Sequence, residues 1–534
     1  MSVRRKLWIF LLTLWLLLII IILLSSSSRY TTDSIQLKSK LLPPGGRISP
    51  EEIVKTRHAI GTDNRHKLFR QARHITREIW RLAKSQLSGS HVTASEKLSP
   101  EDLVDWFSRM SLLLETKLAG ASRVDGQAKE LVTQLDILAQ TVQQRILNLQ
   151  NPLDCRKARY LIATPKDSCG FGCRAHHWIY CFSVAFALNR TLYMSRREEL
   201  EEFLPITKCV PENSPAEPFT TGDRNSQYLH CPIIDIVHSD LRPPALPRDL
   251  ASALERLHGA PFPWFAGQLL QYLFRLKEGE FKRALEANIS SLRTEFPKTG
   301  YRQPVVGIHV RRTDKVGTEA QFHGLAEYMV HAERFFKQKE LERQIANADN
   351  YWTGDVHAPV SKIAPLNRRI FLATDDPSVF EDAKNQFPEY EFIGNRDRAA
   401  SASVETRNSR NAILGIITDI IMLANTDFLS CTFSSQVCRL AYELMQTQHR
   451  YLGDASGQFE SLDDLYYFGG QQLLPWKAII PDAKRGIGLG DEYKLHGNHW
   501  DGFAKAERIG EEKGSQLLPA FMFDQQIVLL PNQP

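Results

Sequence analysis

Apolar and polar residues follow different rhythms in successive parts of the chain, and each rhythm predicts a different kind of structure. Leu7 to Leu24 is an apolar run of 18 residues whose only polar member is Thr13. As a helix rising 1.5 Å per residue it reaches about 27 Å, close to the hydrocarbon thickness of a bilayer. Arg4, Arg5 and Lys6 precede it, which keeps the N-terminus cytosolic. A cleaved signal peptide competes with the anchor reading, because Ser25 to Ser28 follow the run. Signal-peptide cores usually hold about 7–15 apolar residues, so the length favours an uncleaved anchor. Everything after Ser25 then lies in the secretory lumen.

Residues 25–48 carry Ser, Thr, Lys, Pro and Gly without a sustained period and read as a flexible stem. Two helix starts follow, Ser49-Pro50-Glu51-Glu52 and Ser99-Pro100-Glu101-Asp102, each with a capping Ser, a first-turn Pro and an acid three residues on. Leu68, Ala72, Ile75, Ile79 and Leu82 fall on one helical face, as do Leu131, Leu135, Leu138, Val142 and Ile146. Spacings of four and three predict two long amphipathic helices, either a coiled coil with a partner chain or a pair packed within the chain. The basic face Arg65, His66, Arg70, Arg73, His74, Arg77 and Arg81 reads as solvated.

From Asn151 apolar runs alternate with helical stretches. Val305–Val310, Arg369–Thr374 and Asp427–Phe433 each end in a polar cluster, with helices expected near 325–341, 376–387, 411–425 and 436–447. Buried strands alternating with helices predict an open α/β sheet, whose ligands bind beyond the strand carboxyl ends. All three polar clusters fall there. After Gln471, the short runs at Trp476–Ile480, Gly497–Phe503 and Leu517–Phe521 are split by Gly and charge, the pattern of a small barrel. Leu241-Arg242-Pro243-Pro244-Ala245-Leu246-Pro247 reads as an internal polyproline ligand or a stiff connector.

Composition narrows the class. The 534 residues are 43% hydrophobic and 24% charged, which excludes a disordered or polytopic membrane protein. A net charge of +5 gives no nucleic-acid footprint. All eight cysteines lie at or after Cys155, in the part predicted to be lumenal, where disulfides form. Two sequons occur, at Asn189 and Asn288; the first borders an apolar run and reads as buried, so occupancy is expected at Asn288.

The candidate chemistry gathers at residues 309–319. His309-Val310-Arg311-Arg312-Thr313-Asp314-Lys315 puts a dense cationic cluster at a strand end, and Glu319 follows. No glycine-rich phosphate loop of either common pattern is present. Arginine serves instead, because its planar fork donates paired hydrogen bonds to phosphate oxygens. The bland alternative is a surface cluster paired with Asp314 and Glu319. Asp375-Asp376 has the look of a divalent-metal pair, and that reading stays open from the residues alone.

These segments are identified by resemblance with the eukaryotic α-1,6-fucosyltransferases of the N-glycan core. The likeness rests on His309 to Glu319, Ala373-Thr374-Asp375-Asp376-Pro377-Ser378, Cys431 to Arg439 and Ser461 to Gln471, and extends over the chain beyond about residue 150. It implies an open Rossmann-like catalytic domain of GT-B type behind a membrane anchor and coiled-coil stem, with an SH3-like barrel at the C-terminus. The divisions are 1–6 cytosolic tail, 7–24 anchor, 25–48 flexible stem, 49–150 helical stem, 151–467 catalytic and 468–529 SH3-like. It implies a single-pass type II Golgi enzyme, homodimeric through the stem. The reaction implied is inverting, metal-independent transfer of L-fucose from GDP-fucose to the 6-hydroxyl of the innermost GlcNAc of N-glycoproteins with an exposed GlcNAc antenna.

In the same terms Arg311 would hold the donor diphosphate with Arg312 in support, His309 and Asp419 would read the guanine, and Ser435 and Gln436 would face the phosphates. Glu319 would be the base on the acceptor hydroxyl, organised by Lys315, while Asp314, Asp375 and Asp376 match essential positions. Asp235, Gln471 and His499 would bind acceptor glycan. The resemblance pairs Cys155–Cys209, Cys169–Cys173 and Cys431–Cys438. Departures also stand out: Phe171 replaces a family tyrosine, Lys166 is one place from a family lysine, and the stretch between Cys181 and Cys209 is short. Ala163 replaces the usual partner of Cys181, for which Cys231, an extra cysteine, is available. A GDP-fucose enzyme acting on chitin-like oligosaccharides and a catalytically idle lumenal glycan-binding protein are the alternatives; the anchor, stem and barrel oppose the first, and Arg311, Lys315 and Glu319 oppose the second.

Overall fold

The computed structural model describes residues 127–529 apart from 165–168, 195–201, 213–216, 219–222, 224, 232–244, 295–303, 318–319, 353–365, 404, 449–452, 469–474, 497–501 and 512–513, with scattered positions between 73 and 118. The apolar run 7–24, the stem 25–48 and most of the first amphipathic helix lie outside the described residues. Among those described, no helix is long and apolar enough to cross a membrane.

In chain order the first region runs α1 (Gln127–Gln150), β1 (Tyr160–Ala163), α2 (Phe171–Ala187), β2 (Thr191–Met194), β3 (Glu217–Pro218) and β4 (Tyr228–Cys231). Its strands make a parallel sheet in the order β2-β1-β4-β3. Three helices follow, α3 (Arg248–Leu257), α4 (Pro261–Leu273) and α5 (Glu280–Thr294). The second region holds β5 (Val305–Val310), α6 (Leu325–Trp352), β6 (Arg369–Thr374), α7 (Val379–Gln386) and β7 (Glu391–Ile393). It continues through α8 (Arg396–Ser401), α9 (Arg410–Ala424), β8 (Phe428–Cys431), α10 (Gln436–Gln446) and β9 (Phe459–Ser461). Its sheet is again wholly parallel, in the order β7-β6-β5-β8-β9.

Every residue of β5 and β6 is buried. A parallel sheet is covered by helices on both faces, so its central strands read as continuous apolar runs. Pairing of Val310 with Thr374, and of Ile308 with Ser430, brings the ends of β5, β6 and β8 to one edge. The three polar clusters therefore share that edge.

The heptad face of α1 is spent inside the chain. Leu131, Leu135, Val142 and Ile146 belong to the main core, and Leu138 packs against it. Gln143 donates to the carbonyl of Gln268 in α4 at 2.8 Å. Of the two readings for this helix, packing within the chain is the one observed.

The C-terminal region is a five-stranded antiparallel sheet, β10 (Pro475–Ala478), β11 (Glu492–His496), β12 (Phe503–Arg508), β13 (Gln516–Pro519) and β14 (Phe523–Gln525), in the order β13-β12-β11-β10-β14. Leu246 donates its backbone N–H to the Val528 carbonyl at 2.8 Å, and Ala245 and Leu246 are buried. The end of the proline segment is thus tied to this region by a backbone bridge, while Leu241 to Pro244 lie outside the described residues. The sequon expectation is reversed in burial: Asn189 is exposed, at a left-handed turn with φ 51°, and Asn288 is half-buried within α5.

Helices α4 and α10 meet at Gly267. A Cβ there would overlap the Glu443 carbonyl oxygen and come within 2.5 Å of the Thr447 methyl, both on rigid backbone or a short side chain. Gly267→Ala should lower the unfolding free energy by about 1–3 kcal/mol, the usual range for overpacking. Gly279→Ala, with nothing within 4 Å, should change it by no more than about 0.5 kcal/mol. Denaturant titration of both variants checks the contrast; equal stabilities would show that the helix contact yields.

Candidate active site

Arg311 and Arg312 leave the end of β5, and Thr313–Lys315 turn through one 3-10 turn. Across the sheet edge, Asp375 and Asp376 leave β6. The Arg311 guanidinium bonds Asp375, Asp314 and, at 2.9 Å, the Thr313 hydroxyl. Asp375 also accepts the Arg312 backbone N–H at 2.8 Å and the Thr313 hydroxyl. The Arg312 guanidinium reaches Asp376 at 3.1 Å and Asp382 at 3.5 Å, and lies 4.7 Å above the Phe322 ring. Asp376 in turn accepts from the Ser378 N–H and hydroxyl at 2.9 and 2.7 Å.

The aspartate pair is therefore occupied by guanidinium groups and backbone N–H donors. A divalent ion would have to displace two arginines from ligands that are already charge-matched. Of the two readings left by the sequence, the residues present fit arginine positioning and not a metal pair.

A further cation joins from a loop. Arg407 donates to the other oxygen of Asp314 at 2.8 Å, so this carboxylate bridges Arg311 and Arg407. Burial pushes the Asp314 carboxyl up, but Arg311 and Arg407 outweigh it and hold it below its usual range. Asp376 is lowered likewise: the Ser378 hydrogen bonds and Arg312 overcome the effect of burial. Both remain anionic at neutral pH.

His309, the fifth residue of β5, is buried, and its Nδ1 has no partner among the described residues. Burial, reinforced by Arg311, pushes its pKa down to about 3. It is a neutral imidazole with unused hydrogen-bonding capacity. Asp419, on α9, is held by Arg398 rather than by His309, with both guanidinium contacts, at 3.0 and 2.9 Å, falling on Oδ1. Burial raises its carboxyl to about 6, against the opposing pull of Arg398.

Beyond β8, Ser435 occupies the N-cap position of α10 without a side-chain capping bond, and Gln436 opens the helix. Ser434 Oγ and Gln436 Oε1 are buried without hydrogen-bond partners among the described residues. The turn is fixed by Asp463, which accepts the Phe433 N–H at 2.8 Å and the Ser434 N–H at 3.3 Å. The first region closes on the same place. A Cβ at Gly172 would stand 2.8 Å from Gln436 Cβ, and one at Gly170 would stand 3.8 Å from the Arg407 side chain. The Cys169–Cys173 loop thus sits against both α10 and Arg407.

Of the sequence-predicted residues, His309, Arg311, Arg312, Asp314, Asp375, Asp376, Ser435 and Gln436 lie around the shared edge. Lys315 is on the turn, its side chain not described. Glu319, Asp235, Gln471 and His499 lie outside the described residues. The three pairings implied by the resemblance are present, and Cys181 and Cys231, whose pairing the sequence left open, form a fourth bridge. Sequence reasoning missed Arg407, in a Ser- and Arg-rich stretch with no periodic signal, and the capping role of Asp463. Asp463 is half-buried just after β9, and only its charge within Ser461 to Gln471 marked it.

A strand-end cluster of fixed guanidinium groups, a helix N-terminus and an uncharged imidazole gives this α/β protein a set of donors suited to an anionic ligand. The family model described as alpha-(1,6)-fucosyltransferase N- and catalytic domains matches residues 26–467. The alpha-(1,6)-fucosyltransferase of Drosophila melanogaster is 39% identical over 409 residues, 73% of this chain and 60% of that protein. Its counterpart in Caenorhabditis elegans is 34% identical over 421 residues, 74% of this chain and 70% of that protein. The chain belongs to the alpha-(1,6)-fucosyltransferase family. The solved fucosyltransferase NodZ from Bradyrhizobium covers 53% of this chain and 93% of its own at 14% identity, with a TM-score of 0.29, too low for a common fold to be read from it.

Asp375→Ala would leave Arg311 and the Arg312 N–H without their shared acceptor. Breaking one side of a buried pair costs about 3–5 kcal/mol. Denaturant titration should show a loss near that range, whereas Ser378→Ala, on the exposed flank, should lose under about 1.5 kcal/mol. A stable Asp375→Ala chain would mean that the arginines hold their places without it.

Proposed function

We propose that the chain transfers L-fucose from GDP-fucose to the 6-hydroxyl of the innermost GlcNAc of N-glycans, with inversion. The observation that carries this reading is the pair Arg311–Arg312, fixed by Asp375–Asp376 beside the N-terminus of α10. Departure of GDP develops negative charge on a diphosphate, and preorganised donors stabilise it without reorganising. Arg311 takes the diphosphate and Arg312 supports it. Ser435 and Gln436 face the phosphates, a role that suits the unspent Gln436 Oε1 only as an acceptor from sugar or ribose hydroxyls, leaving the amide to donate.

Neutral His309 and Asp419 read the guanine. Both described contacts to Asp419 fall on Oδ1, so Oδ2 is left to accept from the base. Glu319 removes the acceptor proton with Lys315 helping to organise it, Asp314 supports Arg311, and Asp235, Gln471 and His499 hold the glycan. Two wholly parallel sheets are in keeping with a GT-B-type catalytic domain at 151–467, and the antiparallel sheet with an SH3-like module at 468–529. The run at 7–24 would anchor the chain in the Golgi membrane as a type II protein. A stem homodimer would have to form without the apolar face of α1, which is already covered.

The direct test is incubation of the full chain with GDP-fucose and a GlcNAc-terminated N-glycan, followed by linkage analysis of the product. Arg311→Ala should slow transfer by two to three orders of magnitude, for about 3–4 kcal/mol of lost charge stabilisation, measured on the fraction that remains folded. Near-normal turnover would remove Arg311 from the donor site.

Asp419 gives a pH signature. Its raised carboxyl ionises only above about 6, and only the ionised form leaves Oδ2 without a proton to accept from the guanine. GDP affinity measured by calorimetry should therefore rise as the pH passes upward through that value. Asp419→Asn should abolish the step and weaken GDP by roughly 10- to 100-fold, the cost of a charged hydrogen bond. A variant that keeps the step would place the titration elsewhere.

A further inference from the structure

The four disulfides among the described residues differ in accessibility. Cys181–Cys231 and Cys431–Cys438 are fully buried, and Cys209 of the Cys155–Cys209 bridge is buried too. In Cys169–Cys173 both partners are half-exposed. Cys155 is half-exposed as well, but only in Cys169–Cys173 are both partners within reach of a reductant. His177 lies one helical turn after Cys173 on the same face of α2. The two sulfurs and an imidazole nitrogen of His177 all lie within 4.8 Å of one another.

We propose that this bridge, once reduced, becomes a soft divalent-metal site of zinc type, with Cys169, Cys173 and His177 as ligands. A small dithiol supplies two electrons and two protons to the S–S bond, yielding two thiols and its own cyclic disulfide. The incoming ion displaces both thiol protons to solvent and is held by two thiolates and one neutral imidazole. Metal–sulfur bonds of about 2.3 Å and a metal–nitrogen bond of about 2.0–2.1 Å place tetrahedral donors about 3.5–3.8 Å apart, which the present separations allow. The sulfur–imidazole set selects zinc-like ions over magnesium or calcium, and the fourth position stays open.

The site is coupled to its surroundings through the loop it closes. Gly172 already leaves no room for a Cβ against Gln436, and Gly170 packs on Arg407. Holding two sulfurs across an ion widens this loop into α10 and Arg407, the neighbourhood assigned above to the donor phosphates. That consequence rests on the proposed donor site; the metal site itself does not.

The test uses the full chain under limiting dithiol, with free thiols located by alkylation and peptide mass analysis. After the reductant is removed, Co²⁺ is titrated as the spectroscopic probe. Cys169 and Cys173 should be labelled first, and cobalt should bind one per chain with thiolate-to-metal charge-transfer absorption. His177→Ala should weaken cobalt by at least about tenfold, and His177→Gln covers the case in which alanine unsettles α2. Zinc loading should lower GDP affinity at least about tenfold, reversed by EDTA and reoxidation. No charge-transfer band with both thiols shown free, or binding indifferent to both His177 variants, overturns the site. Metal bound with GDP affinity unchanged overturns the coupling to the loop. Failure of the untreated, oxidised chain to bind GDP would instead count against the donor reading alone.

Discussion

The arrangement of the site depends on one interaction: the carboxylate of Asp375, at the end of β6, holding Arg311 and the backbone of Arg312 at the end of β5. Neither group is placed by its own strand alone. The parallel register that pairs Val310 with Thr374 sets the two ends side by side, and burial then makes the pairing compulsory. An unpaired carboxylate at this depth would cost several kcal/mol, and the guanidinium offsets it. The price of the arrangement is that Asp375 and Asp376 are no longer free to hold a metal ion. In the proposed reaction, fixed guanidinium groups take the charge-stabilising role a divalent ion would otherwise fill.

From that pair the network extends outward along named contacts. Asp314 links Arg311 to Arg407, Arg407 packs against Gly170, and the neighbouring Gly172 packs against Gln436 at the head of α10. Asp463 fixes the turn into α10 from the opposite side. Elements from both parallel sheets thereby converge on one edge. The lowered carboxyls of Asp314 and Asp376 and the depressed His309 imidazole follow from the same geometry. The cations keep the acids ionised, while burial keeps the imidazole neutral.

Part of this was legible in the sequence, for reasons that differ from residue to residue. Val305–Val310 and Arg369–Thr374 were read to the residue, because strands buried on both faces leave an unbroken apolar run bounded by charge. The placement of the polar clusters at strand ends followed from that. The four-residue strands of the first sheet were not legible: Tyr160–Ala163 and Tyr228–Cys231 are too short to show a period. Glu492–His496 alternates, but its charged outward positions masked it between glycines. The heptad face of α1 showed which side is apolar and not what covers it. The aspartate pair was ambiguous for a like reason, since its partners come from a strand more than 60 residues earlier in the chain.

The central claim is that arginine, held by aspartate, does the neutralising at the donor diphosphate. Its most direct test is the rate of transfer from GDP-fucose to a GlcNAc-terminated N-glycan in excess EDTA. The rate should equal that of the untreated protein, and added Mn²⁺ should leave it unchanged. Loss of transfer on chelation, restored by Mn²⁺, would contradict the account and return Asp375 and Asp376 to the role of metal ligands.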